Sequence, residues 1–221
     1  YPFSWLEASY QYVDINNVLY SPVFEFSGNQ TYKDKSFDFK LRLLEESLYL
    51  PQVAVGFRDA AGTGLFSSEY LVISKFYQNF DFTFGLGWGD LNARSYTNPL
   101  IKINDSFAIR ELTGSAKGGE FSTNSFFSGD IGIFGGLEVY LPFLSGATLK
   151  VEYDGTNYET EGFSPPLQAS KINYGINWPV TENTHLKLGY IRGNTINLGF
   201  SFSRSFASKK HFIPKNDPHI P

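Results

Sequence analysis

The sequence predicts an all-β protein, a transmembrane antiparallel up-and-down β-barrel of about ten strands. Three observations carry this. Ser36-Phe37-Asp38-Phe39-Lys40-Leu41-Arg42-Leu43 alternates polar and apolar without a break, and near-copies recur along nearly the whole chain; a period of two means strands with two unlike faces. The greasy face is aromatic and almost free of charge, and it repeats in segments of about ten residues, the length that crosses a bilayer as a tilted strand. The connections alternate long and short, as extracellular loops and periplasmic turns do in outer-membrane barrels.

Ten strands follow in order. Trp5–Val13 sets Leu6, Ala8, Tyr10 and Tyr12 against Glu7, Ser9 and Gln11. Lys35–Leu43 contains the run above, and Gln52–Arg58 turns Val53, Val55 and Phe57 outward. Glu69–Tyr77 is ambiguous, with Tyr70, Val72 and Phe76 on one side and Leu71 and Ile73 mixed with Glu69 and Lys75 on the other. Phe80–Trp88 opposes Phe80, Phe82, Phe84, Leu86 and Trp88 to Asp81, Thr83, Gly85 and Gly87. Asp130–Leu141, Thr148–Asp154, Lys171–Trp178, His185–Ile191 and Thr195–Ser203 complete the set. Long links are expected at 14–34, 59–68, 89–129 and 155–170, shorter ones at 44–51, 78–79, 142–147 and 179–184. That order sets both chain ends in the periplasm; the short hairpin at Gly193-Asn194 breaks the rule. Leu100–Ile103 and Phe107–Arg110 are strand-like and would raise the count to twelve, but ten crossing strands plus loop β-structure is the favoured reading. The barrel is expected over 1–206, with 207–221 a Pro-rich linker or tail leading into a further domain.

Composition fits. Aromatic residues make up 18% of 221, with 22 Phe and 14 Tyr, as interfacial girdles require. Mean hydropathy is only −0.22, because every second strand residue is polar, and no apolar run reaches the roughly 18 residues of a transmembrane helix. The absence of cysteine excludes disulfides, thiolate nucleophiles and Cys-based zinc sites. A net charge of −4 with no basic cluster argues against nucleic acid. The opening Tyr1-Pro2-Phe3 has neither a basic nor an apolar leader segment, so a mature form or an excised piece is expected.

The polar face carries Glu7, Asp38, Lys40, Arg42, Arg58, Asp81, Glu138, Lys150, Glu152, Lys171 and Lys187, expected to line the lumen. They either fill a narrow interior with salt bridges or form a polar conduit. The glycines among them, including Gly56, Gly85, Gly132, Gly175 and Gly189, either let strands bend or leave room. Tyr12, Tyr70, Trp88, Trp178 and Tyr190 are expected in a membrane-interface girdle. Tyr96, Phe107, Phe121, Tyr158 and Phe163 fall in outer loops, where they either pack the loops or stack on sugar rings. Gly62-Thr63-Gly64 precedes no helix, which rejects a phosphate loop. His185 has no placeable Ser or Asp partner, so a triad is not supported. Glu152 and Asp154 share a strand face and read as a solvated strand end more readily than as an acid–base pair or cation site. No enzyme activity, cofactor or metal is expected.

Several stretches resemble the YjbH/GfcD group of outer-membrane proteins found with exopolysaccharide and capsule genes. They are Leu48-Tyr49-Leu50-Pro51 through Val55-Gly56-Phe57-Arg58-Asp59, Gly62-Thr63-Gly64-Leu65-Phe66-Ser67-Ser68-Glu69-Tyr70-Leu71-Val72, Gly118-Gly119-Glu120-Phe121-Ser122, Phe134-Gly135-Gly136-Leu137-Glu138, Leu149-Lys150-Val151-Glu152-Tyr153-Asp154-Gly155 and Arg192-Gly193-Asn194-Thr195. The resemblance implies a bacterial outer-membrane barrel serving export or assembly of an exopolysaccharide or capsule as a non-catalytic conduit or docking component. The expected partners are outer-membrane lipid, polysaccharide, periplasmic and outer-membrane secretion proteins, and further domains of a longer parent chain. A general porin-like channel and a barrel enzyme that modifies surface glycan are the alternatives.

Overall fold

The structure, a computed structural model, describes residues 3–62, 64, 66–110, 125–144, 146–158 and 166–204. It is all-β. Ten strands form one antiparallel sheet in strict sequence order: β1 (Leu6–Leu19), β2 (Thr31–Leu44), β3 (Gln52–Arg58), β4 (Ser68–Tyr77), β5 (Phe80–Gly89), β6 (Gly132–Leu141), β7 (Ala147–Tyr153), β8 (Ile172–Thr181), β9 (Thr184–Ile191) and β10 (Thr195–Phe202). Among the described residues β1 and β10 are not paired with each other, so the sheet is open rather than the closed barrel expected from the sequence. The predicted tail at 207–221 lies outside the described residues.

The first hairpin is longer than its alternation suggested. β1 and β2 stay in register from Leu6↔Leu41 to Ile15↔Tyr32, with a bulge before Leu19↔Thr31, and the one-turn helix α1 (Phe24–Ser27) lies at the tip. The twelve-strand option is excluded within the described residues. Pro99–Lys102 and Asp105–Phe107 are 3-10 turns, each started by an asparagine whose side chain accepts a backbone N–H: Asn98 from Leu100, Asn104 from Ser106. Such caps favour a helical start over a strand.

Packing is inverted relative to a water-soluble core. Among the described residues the largest fully buried side chains are Glu69, Asn98, Asp34, Ser68, Ser125 and Ser128, whereas Phe37, Phe82, Phe84 and Phe200 are 47%, 48%, 48% and 68% exposed. Contiguous apolar surface on this scale marks a face that meets something other than water.

The ambiguity of β4 is resolved. Leu71 and Ile73 lie in the exposed apolar rows with Leu86 and Phe84, while Val72 pairs with Gly85 on the other face. The two charges that β4 carries on the apolar side are both covered. Glu69, between Phe57 and Trp88 in register, is clasped by Arg110 of the long β5–β6 connection: Nη1 donates to Oε2 at 2.8 Å and Nη2 to Oε1 at 3.0 Å. Lys75 at the opposite end meets Glu46 of the β2–β3 turn at 3.2 Å. The Phe76 N–H and Lys75 hold the Glu46 carboxyl below the usual carboxylate range.

Candidate functional site

Residues directly opposed in a ladder point to the same side of the sheet, so register assembles the polar face. Glu7, Lys40, Gly56, Tyr70, Gly87 and Gly132 form one row. Asp81, Glu138, Lys150, Gly175, Gly189 and Asn197 form a second. Asp38, Arg42, Arg58, Glu152 and Lys187 fall on the same face by alternation. Lys171 lies just before β8, and its ammonium donates to the Ala93 carbonyl. Within this set Glu138–Lys150, at 2.6 Å, is the ion pair among the described residues. Salt bridges therefore do not fill this face.

What fills it is apolar and confined to one half. A Cβ at Gly56 would come within 2.0 Å of the Tyr70 ring, one at Gly85 within 2.1 Å of the Phe134 ring, and one at Gly87 within 2.3 Å of Leu91 Cβ. Tyr70 and Phe134 meet edge-on with centroids 6.0 Å apart. Leu91 and Asn92, from the start of the β5–β6 connection, fold over this half, and a Cβ at Gly132 would lie 2.1 Å from the Leu91 carbonyl oxygen. These glycines accept bulk from neighbours. Over β7–β10 the glycines have a different use: a Cβ at Gly175 or Gly189 would find nothing nearer than 3.7 Å. A trough of about 420 Å³ lies there, lined by Lys150, Glu152, Asn173, Asn177, Lys187 and Asn197. Sequence left bending and vacancy open for these residues; the structure divides them between packed and vacant.

The far end of the β5–β6 connection covers the apolar side. Phe127 stacks edge-on against Trp88 at 5.1 Å, and Phe126 and Phe127 lie 5.2 and 5.6 Å from Phe57. The connection thus straddles the sheet end. Two expected girdle positions are corrected by this packing. Tyr70 sits on the polar face over Gly56, and Trp88 is only 5% exposed beneath Phe127. Tyr12, Trp178 and Tyr190 stand exposed on the apolar face.

Among the described loop aromatics, Tyr158 and Tyr96 are engaged by neighbouring side chains. Tyr158 donates to Asp154 Oδ2 at 2.9 Å, and the Arg192 guanidinium lies 5.8 Å from its ring centre. Burial, then the bond to Asp154, pushes the Tyr158 hydroxyl up to about 12. Arg94 lies 5.7 Å from the ring centre of Tyr96, which also bridges to Ile131 through the backbone. Phe107 is half-buried; Phe121 and Phe163 lie outside the described residues. A signal that sequence reading passed over is Asp59. Its backbone is left-handed, at φ 50°. Burial, then the neighbouring Asp34 charge, raises its carboxyl to about 6 despite bonds from the Phe66 and Gly64 N–H groups, with Asp38 adding a smaller push. Among the described residues no cluster of three His, Cys, Asp or Glu side chains could hold a metal ion.

A family model described as "Exopolysaccharide biosynthesis protein YbjH" matches residues 1–221. The chain belongs to the YjbH family. The "Uncharacterized lipoprotein YjbH" of Escherichia coli (strain K12) is 45% identical over 205 residues, which cover 92% of this chain and 29% of the relative. The chain thus spans under a third of the length of the curated relative it matches. No solved structure matches.

Proposed function

We propose that this chain forms wall strands of a bacterial outer-membrane barrel that takes part in export or assembly of an exopolysaccharide, acting by passage or docking rather than by chemistry. One observation carries the reading: charges and amides share one face of the sheet while Phe37, Phe82, Phe84 and Phe200 stand exposed on the other. A solvent that is itself apolar makes that arrangement favourable over ten consecutive strands. The family description supplies the cargo, and the lipoprotein name of the relative fits an envelope location. Periplasmic and outer-membrane secretion proteins are the expected partners at the turns and rims.

Lipid sets one further requirement. An unpaired backbone N–H or C=O costs several kcal/mol in hydrocarbon, so the outer edges of β1 and β10 must be paired in the membrane, with each other or with strands from outside residues 1–221. The test joins two measurements. The protein should require detergent for extraction and migrate differently on gels when unheated. Deleting its gene should abolish or sharply reduce extracellular polysaccharide, and the plasmid-borne gene should restore it. Extraction in detergent-free buffer, or unchanged polysaccharide output after deletion, refutes the proposal.

A further inference from the structure

Resting on that reading, we propose that the trough over β7–β10 is a saccharide-contacting site that takes a short run of hydroxyl-rich sugar rings. Three independent observations converge on it. The first is vacancy. Gly56, Gly85, Gly87 and Gly132 are covered by Tyr70, Phe134 and Leu91, whereas a Cβ at Gly175 or Gly189 would meet nothing nearer than 3.7 Å, and their floor opens into the volume of about 420 Å³. Small-molecule sites occupy about 300–1,000 Å³.

The second is uncommitted bonding capacity. Lys150 is held by Glu138 at 2.6 Å, and the Asn173 side-chain oxygen accepts the Arg192 N–H at 2.8 Å. Asn177, Lys187 and Asn197 make no side-chain hydrogen bond among the described residues, and the Asn177 amide oxygen is buried without a donor. A buried acceptor left unmet calls for a partner. Asn177 and Lys187 are directly opposed, and Asn197 faces Gly189. Amide oxygens that accept stand beside amide and ammonium N–H groups that donate, and a sugar hydroxyl does both.

The third is charge. Lys150 is paired with Glu138 from outside the trough, which leaves one lysine, Lys187, and one glutamate, Glu152, on the lining, so the lining suits hydroxyls better than a charged ligand. A glycine floor lets a flat ring approach the backbone, which a side chain at every second position would prevent.

The test uses the full-length protein in detergent, titrated calorimetrically with oligosaccharides from partial acid hydrolysis of the exopolysaccharide of the producing cell. Gly175→Leu and Gly189→Leu should fill the trough and weaken binding at least tenfold, with far-UV circular dichroism and heat-dependent gel migration unchanged. Asn177→Ala combined with Lys187→Ala should do the same without adding bulk. Folded variants that bind like the wild type overturn the inference, as does a wild type that binds no oligosaccharide. Cell output separates this from the broader reading. If deletion abolishes polysaccharide and the trough variants restore it fully, only the site is lost. If deletion changes nothing, the export role itself fails.

Discussion

Replacing Arg110 by Met cuts the tie that holds the β5–β6 connection to the sheet. The guanidinium makes five bonds: two to Glu69, two to Ser67 and one to the Ser125 carbonyl, between 2.7 and 3.3 Å. Glu69 is 1% exposed, and without Arg110 its carboxylate keeps the Phe127 N–H at 3.0 Å. Breaking a buried pair on one side costs about 3–5 kcal/mol, because a charge is left behind. Arg110 is 16% exposed, which points to the lower end, about 3 kcal/mol. Removing both partners, as Glu69→Leu with Arg110→Met, leaves no stranded charge and should cost about 1 kcal/mol or less. The cycle therefore predicts a coupling of at least about 2 kcal/mol. Denaturant unfolding in detergent measures it, with fluorescence of Trp88 reporting the Phe127 contact. Single variants that each lose under about 1 kcal/mol, and add up to the double, would refute the clasp as described.

Three further outcomes follow from other parts of the molecule. Asp59 has a folded pKa of about 6, above its unfolded value of about 3.9. The folded state then binds the extra proton, so the stability contributed by this group is fully present below about pH 4, is lost as pH rises through about 6, and is constant above. Asn tolerates left-handed backbone; Asp59→Asn should raise stability at pH 7.5 by about 1–2 kcal/mol and flatten the pH profile, and an unchanged profile counts against the cause given. Gly132→Ala, facing the Leu91 carbonyl at 2.1 Å, should destabilise by about 1–3 kcal/mol, while Gly175→Ala, with 3.7 Å of clearance, should be nearly neutral; equal effects would contradict the packed and vacant halves. Phe84→Arg, in the exposed apolar band, should cost about 2–4 kcal/mol when folding is measured in lipid vesicles, and no loss there would remove lipid as the neighbour of that face.

How much of this was readable in advance depends on how local each cause is. Gln52–Arg58 matches its predicted strand residue for residue, because alternation there is clean. The ends of the first hairpin were hidden: Lys33-Asp34-Lys35 puts three charges in a row, so the period fails there although the ladder continues, and Asn16-Asn17 fall in the bulge before Leu19. The Asn98-Pro99 and Asn104-Asp105 starts carried a capping signal that their apolar neighbours obscured. The facing of β4 was undecidable locally. Glu69 and Lys75 are tolerated beside Leu71 and Ile73 through partners 41 and 29 residues away. The division of glycines into covered and bare has no local signature, since it depends on what crosses above them.

Every strand in this sheet lies beside the one made just before it. Nine neighbouring contacts can therefore zip in order of synthesis, each closing a loop no longer than the link between two strands, at an entropy cost that grows only slowly with link length. One junction would stand apart. Were β1 to meet β10, it would join segments separated by almost the whole chain and would come last. In that case the slowest step, and the greatest exposure to wrong partners, would fall at the same two strands.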